Sequence, residues 1–102
     1  MAIIEVFGAL DPVTVERMFD QGMSPEQTNG RWDWLVDLVE ALPLEQRDVI
    51  EALYWEEVGQ RTYAERAGLK RADVRTRQRR ALKALTKAIT GVMATFEWMA
   101  AQ

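Results

Sequence analysis

The stretch RADVRTRQRRALKAL, residues 71–85, holds six arginines and lysines in fifteen positions, within a chain whose formal net charge is −3. Cations at that density are suited to gripping a polyanion. An arginine fork meets phosphate through two parallel hydrogen bonds and meets guanine at O6 and N7 together. At 100° per residue, Val74, Gln78, Ala81, Leu82 and Leu85 fall within one arc, which predicts a helix with that arc in the core. Gln78 is the odd polar member. Opposite lie Ala72, Thr76, Arg79, Arg80, Lys83 and Lys87, with Arg71 and Arg75 on one flank and Asp73 and Arg77 on the other. Acidic partners at i±4 are nearly absent, so the like charges repel by a few tenths of a kcal/mol per pair until a polyanion relieves them. A merely solvated helix surface is the plainer reading, and the missing acids count against it.

Other chemistry is poorly provided for. The 102 residues contain no cysteine and no histidine. That removes thiolate nucleophiles, disulfides, the commonest general base and the commonest metal ligand. Asp33, Asp37 and Glu40 recur at helical spacing, but without histidine or a further motif they read as a solvated face, and no metal or other cofactor is expected. With no glycine-rich phosphate loop and no convergent acid pair either, the sequence does not point to an enzyme. The opening MAIIEVFGAL has no basic cluster, and no apolar run approaches the roughly 18 residues of a membrane span, so a soluble cytoplasmic protein is expected.

The small net charge hides a division. Residues 1–57 carry thirteen acids against three arginines, residues 58–87 carry ten bases against Glu65 and Asp73, and residues 88–102 add only Glu97. A basic face attracts a polyanion locally even when the rest of the molecule is acidic. In a sharper version of this reading, the acidic amino half screens the basic helix until a partner displaces it.

The elements that must carry this face are helical throughout, giving an all-α fold. Asp11-Pro12 marks a helix start, with Val15, Met18 and Phe19 as its apolar stripe before Gly22. SPEQTNG, residues 24–30, reads as a loop. A second helix is expected over residues 31–42, with Trp32, Leu35, Val36 and Val39 on one face. Pro43 opens a third, whose apolar side is Val49, Ile50, Leu53 and Tyr54 and which ends near Glu57. Gly59 breaks it, a short helix spans 60–67, and Gly68 suits a left-handed turn before the basic helix. A short helix, a glycine turn and a longer basic helix outline a helix-turn-helix.

Residues 42–85, LPLEQRDVIEALYWEEVGQRTYAERAGLKRADVRTRQRRALKAL, resemble region 4 of bacterial sigma factors, which recognises the promoter −35 element. The resemblance runs without a gap through Leu42-Pro43, Leu53-Tyr54-Trp55-Glu56, Tyr63 to Leu69, Val74-Arg75 and Arg80 to Lys83. It implies a domain at 42–87 between an acidic helical segment, 1–41, and an apolar helical extension, 88–102, all one cooperative unit. By position it implies that Arg71, Ala72, Arg75 and Thr76 read bases, while Arg61, Thr62, Arg79, Arg80 and Lys83 hold phosphates. Double-stranded DNA is then the expected partner, and RNA polymerase, through its β-flap, a further one. Lys70 stands where the family often has a capping serine or threonine, which forfeits about 0.5–2 kcal/mol of capping. Region 2, which melts DNA, finds no room here.

Beyond the resemblance, Leu82, Leu85, Ile89, Val92, Phe96 and Met99 recur at heptad spacing. An unbroken helix from Arg71 to Met99 would run about 43 Å. Two outcomes are expected: a bend near Thr90-Gly91 that folds the tail back on Trp32 and Trp34, or pairing of the seam in a homodimer with two half-sites about 34 Å apart. The leading function is a sequence-specific DNA-binding transcription regulator. The alternatives are a module that grips RNA polymerase or another transcription factor, and a DNA-packaging or architectural oligomer of a phage.

Overall fold

The last helix sets the dimensions of the molecule. In the computed structural model, which describes residues 3–23 and 32–101, α6 runs from Arg71 to Ala100, 30 residues without interruption. At 1.5 Å per residue that is about 45 Å, close to the longest extent of the whole chain, 49 × 22 × 21 Å. The expected bend at Thr90-Gly91 is therefore absent. Thr86, Thr90 and Thr95 each return their hydroxyl to the carbonyl four residues back, at 2.9, 2.9 and 3.1 Å, and Gly91 costs only about 1 kcal/mol in a helix that is otherwise well supported.

The other elements line up along this rod. They are α1 (Ile3–Ala9), α2 (Pro12–Asp20), α3 (Asp33–Glu40), α4 (Leu44–Ile50), a π-helical turn (Glu51–Trp55) and α5 (Gln60–Ala67), with no strand among the described residues. Helices α4 and α5 meet α6 at Arg77 and Gln78, α3 also packs on it, and α2 reaches its far end, where Arg17 and Gln21 both hold the Glu97 carboxylate. The hydrogen bond from Arg17 holds Glu97 below the usual carboxylate range. The radius of gyration, 14.5 Å, exceeds the roughly 13 Å of a compact 100-residue globule. The amino-terminal helices come to the tail, and the tail stays straight.

One apolar stripe of α6 holds this together. Val74, Ala81, Leu85, Ile89 and Met93 are fully buried, with Leu82 packed half-buried beside them. The heptad seam, for which fold-back and homodimer pairing were both open, is buried by the chain's own helices at Leu85 and Ile89, and a homodimer through it is not supported. Met93, one residue off that seam, is buried, whereas Met99 is exposed beyond the last supporting element. The side chain of Phe96, the loop at 24–30 and Arg31 lie outside the described residues.

Several local details differ from expectation for identifiable reasons. Within the segment 1–41, expected to be helical, no separate helix was marked out at Ile3–Ala9, which carries no capping signal, and α1 forms there. Asp11 precedes α2 as expected, yet its carboxylate makes no backbone cap and accepts instead from the Thr14 hydroxyl at 3.3 Å. Pro43 sits at the N-cap of α4, just outside the helix. The third expected helix splits into α4 and the π turn, closed by Glu56 N–H donating to the Glu51 carbonyl at 2.8 Å. The wider turn rotates Ala52 fully into the core and leaves Leu53 half-buried. Among the described residues no helix is long and apolar enough to cross a membrane.

The continuity of α6 is testable at Gly91, where an added Cβ would meet no atom within 4 Å. Gly91→Ala should raise stability by about 0.5–1 kcal/mol in urea denaturation. A loss of stability would mean that the chain bends there after all.

Candidate nucleic-acid interface

The basic face is positioned by the turn that precedes it. Helix α5 ends at Gly68, whose φ of +69° is a left-handed conformation open to glycine at little cost. Leu69 N–H reaches back to the Ala64 carbonyl at 2.9 Å, and Gly68 N–H to that of Glu65 at 3.4 Å, the paired bonds of a Schellman motif. Lys70 then takes an extended conformation and α6 begins without a side-chain cap. The Lys70 carbonyl accepts from Asp73 and Val74 at 3.0 and 3.1 Å, and Asp73 adds a carboxylate to the first turn, where the helix dipole favours negative charge.

From that start, Arg71, Ala72, Arg75, Arg79, Arg80 and Lys83 are all exposed, while Val74, Ala81 and Leu85 on the opposite side are buried. Among the described residues none of Arg71, Arg75, Arg79, Arg80 and Lys83 forms an ion pair. Among the described residues of the acidic amino half, only Glu45 approaches the basic helix closely enough to pair, 3.9 Å from Arg77. Thr76 is half-buried and its hydroxyl donates to the Ala72 carbonyl at 3.1 Å, so its methyl and its remaining lone pairs are what it can offer a ligand. On α5, Arg61 and Thr62 are exposed. The Arg61 side chain is 85% accessible and lies 3.6 Å from Glu65, a one-turn pair weak enough to yield to a phosphate.

Arg77 departs from the sequence reading. Its periodicity put it on an exposed flank, but its side chain is only 23% accessible and is engaged. It donates to the Tyr63 hydroxyl at 3.2 Å, and that hydroxyl donates in turn to Asp48 at 2.8 Å, which joins α6, α5 and α4 in one chain of bonds. Gln78, the odd polar member of the buried stripe, is satisfied at both ends of its amide. It accepts from Gln60 at 2.8 Å and donates to the Tyr54 hydroxyl at 2.7 Å. Arg66, lying 5.8 Å from the Tyr63 ring centroid, reaches Glu56 at 3.0 Å and ties α5 to the end of the π turn.

Sequence reasoning missed these positioning residues, and the one signal that pointed to them was a glutamine inside an apolar arc. Next to them, between the start of α4 and the first turns of α6, lies an open hollow of about 250 Å³ at whose wall Arg77 and Arg80 face Glu45 and Asp73.

The geometry is that of two helices joined by a tight left-handed turn, the second presenting free cations and clasped from behind. The sequence model of the family sigma-70, region 4, matches residues 32–85, just over half of the chain. The chain belongs to that family. The match takes in α3 as well, beginning ten residues before the stretch whose motifs carry the resemblance. No curated protein and no solved structure matches the chain significantly. Sigma region 4 domains are non-enzymatic modules that bind DNA and RNA polymerase.

Burial, and after it the hydrogen bond donated to Asp48, hold the Tyr63 phenol above its ordinary pKa, with Arg77 pulling the other way. The raised folded value means that folding favours the neutral phenol. Its contribution is fully present below the unfolded pKa of about 10 and is lost as pH rises through the folded value. Tyr63→Phe should cost about 0.5–1.5 kcal/mol in urea at pH 7 and should flatten the loss of stability above about pH 10. The same alkaline slope in both proteins would show that Tyr63 does not carry it.

Proposed function

We propose that the protein is a sequence-specific DNA-binding transcription regulator that lays the first turns of α6 in the major groove. The observation that carries this reading is the set of exposed cations on α6, Arg71, Arg75, Arg79, Arg80, Lys83 and Lys87, with no ion-pair partner among the described residues, on a helix whose opposite side is locked into the core. A major groove about 12 Å wide admits a helix of this diameter. Arg71 and Arg75, one turn apart at the start of α6, are the guanine readers. Ala72 and Thr76 beside them offer methyl groups and a hydroxyl to neighbouring base edges. Arg79, Arg80 and Lys83 farther along α6, with Arg61 and Thr62 at the start of α5, hold phosphates and fix the register without reading sequence.

Arg77 is excluded from this set because it is committed to Tyr63 and Glu45. Asp73, on the flank facing the hollow, sets a carboxylate beside the groove and narrows the acceptable sequences.

The test is fluorescence anisotropy with a duplex selected from a random pool and with an unselected duplex of equal length. Arg71→Ala and Arg75→Ala should each cost about 1–3 kcal/mol on the selected duplex and much less on the unselected one. Equal losses on both would make the arginines phosphate contacts only. Wild-type protein that binds neither duplex would remove the reading and favour polymerase docking.

A further inference from the structure

Outside the matched region, α1 and α2 enclose a second feature that DNA binding does not use. Helix α1 rests on the π turn and α2 on the end of α6, and the two leave a cleft of about 550 Å³ between them. Phe7 and Leu10 form its buried floor, and half-buried Val15 and exposed Phe19 rise beside them. Val13, on the first turn of α2, is 63% exposed. Glu16 and Asp20 stand one turn apart on its rim. Residues 1–23 carry four carboxylates against the single Arg17, and Arg17 is turned away to Glu97 at 2.8 Å. An apolar trough with a one-signed rim is an interaction surface.

We infer that the α1–α2 cleft is a docking site for a short amphipathic helix of another protein, one with an apolar stripe flanked by lysine or arginine. The walls are two helices of seven and nine residues, so the trough is about 10–14 Å long and takes two turns, with anchors at i, i+3 or i+4, and i+7. Charge selects the partner. The chain's own exposed apolar end, Trp98 and Met99, is a poor match because the nearest charge on it is Glu97, so a second copy would bring acid to acid. The site is separate from the basic face of α6, so a regulator could hold DNA and a partner together.

The experiment uses the full chain and three fluorescein-labelled 15-residue helical peptides with the same leucine stripe and flanks of lysine, glutamine or glutamate. The lysine peptide should bind at least tenfold more tightly than the glutamate peptide. Gly8→Leu should weaken it at least tenfold, since Gly8 borders the cleft and an added Cβ there meets no atom within 4 Å. The exposed pair Glu16→Lys, Asp20→Lys should reverse the peptide order, with circular dichroism confirming the fold of each variant. Arg71→Ala, Arg75→Ala should leave peptide binding unchanged, which separates failure of this site from failure of the DNA reading. No binding of any peptide, equal binding by wild type and Gly8→Leu, or self-association abolished by both Trp98→Ala and Gly8→Leu would overturn the inference, the last by assigning the cleft to a second copy.

Discussion

Everything in this molecule depends on burying one side of a single 30-residue helix. The stripe from Val74 to Met93 is the one apolar surface that all the other packing serves, directly or through the helices laid on it. Because that stripe is continuous and narrow, the opposite side of α6 is left to solvent over its whole length. The first half of that side is where the cations are. The same packing that stabilises the domain therefore fixes the orientation of the basic face, and no separate device is needed to expose it.

Apolar packing alone would allow α6 to rotate or slide by a residue against α4 and α5. Two polar contacts oppose that freedom. Arg77 to Tyr63 to Asp48 spans three helices, and Gln78 bridges Gln60 and Tyr54 within the otherwise apolar interface. A buried polar group that is fully paired specifies one arrangement, since any shift leaves a donor or acceptor unmet. For a helix that must present arginines at set heights in a groove, that restriction on register matters more than the small net stability of the bonds. Arg77 and Gln78, adjacent in sequence, thus lock the element whose neighbours do the reading.

Much of this was legible in the residues. The bounds of α5, the left-handed glycine at 68, the start of α6 and its division into an apolar arc and a cationic side all follow from period and turn chemistry. The family is legible by a different route, the resemblance of one ordered run of motifs. The amino-terminal part was less legible because its signals are weak or ambiguous. Helix α1 has no cap, and the π turn is one extra residue that no hydrophobic period announces. In the tail the buried positions are Leu85, Ile89 and Met93, the last one residue off the heptad seam, and periodicity reports only that a face is covered and not which chain covers it, so α2 and α3 were not foreseen as partners of a straight rod. Arg77 was misplaced because a helical wheel knows nothing of a tyrosine on the next helix. The cleft between α1 and α2 depends on how two short helices splay, which no local pattern encodes.

The central claim, that the cations of α6 are free and aimed at a polyanion, is tested most directly by the salt dependence of duplex binding. Arg79, Arg80 and Lys83 acting as phosphate contacts predict a plot of log K against log salt with a slope of about −3 or steeper, and Lys83→Ala should make it shallower by about one. A slope near zero, or one that removing Lys83 leaves unchanged, would contradict the account.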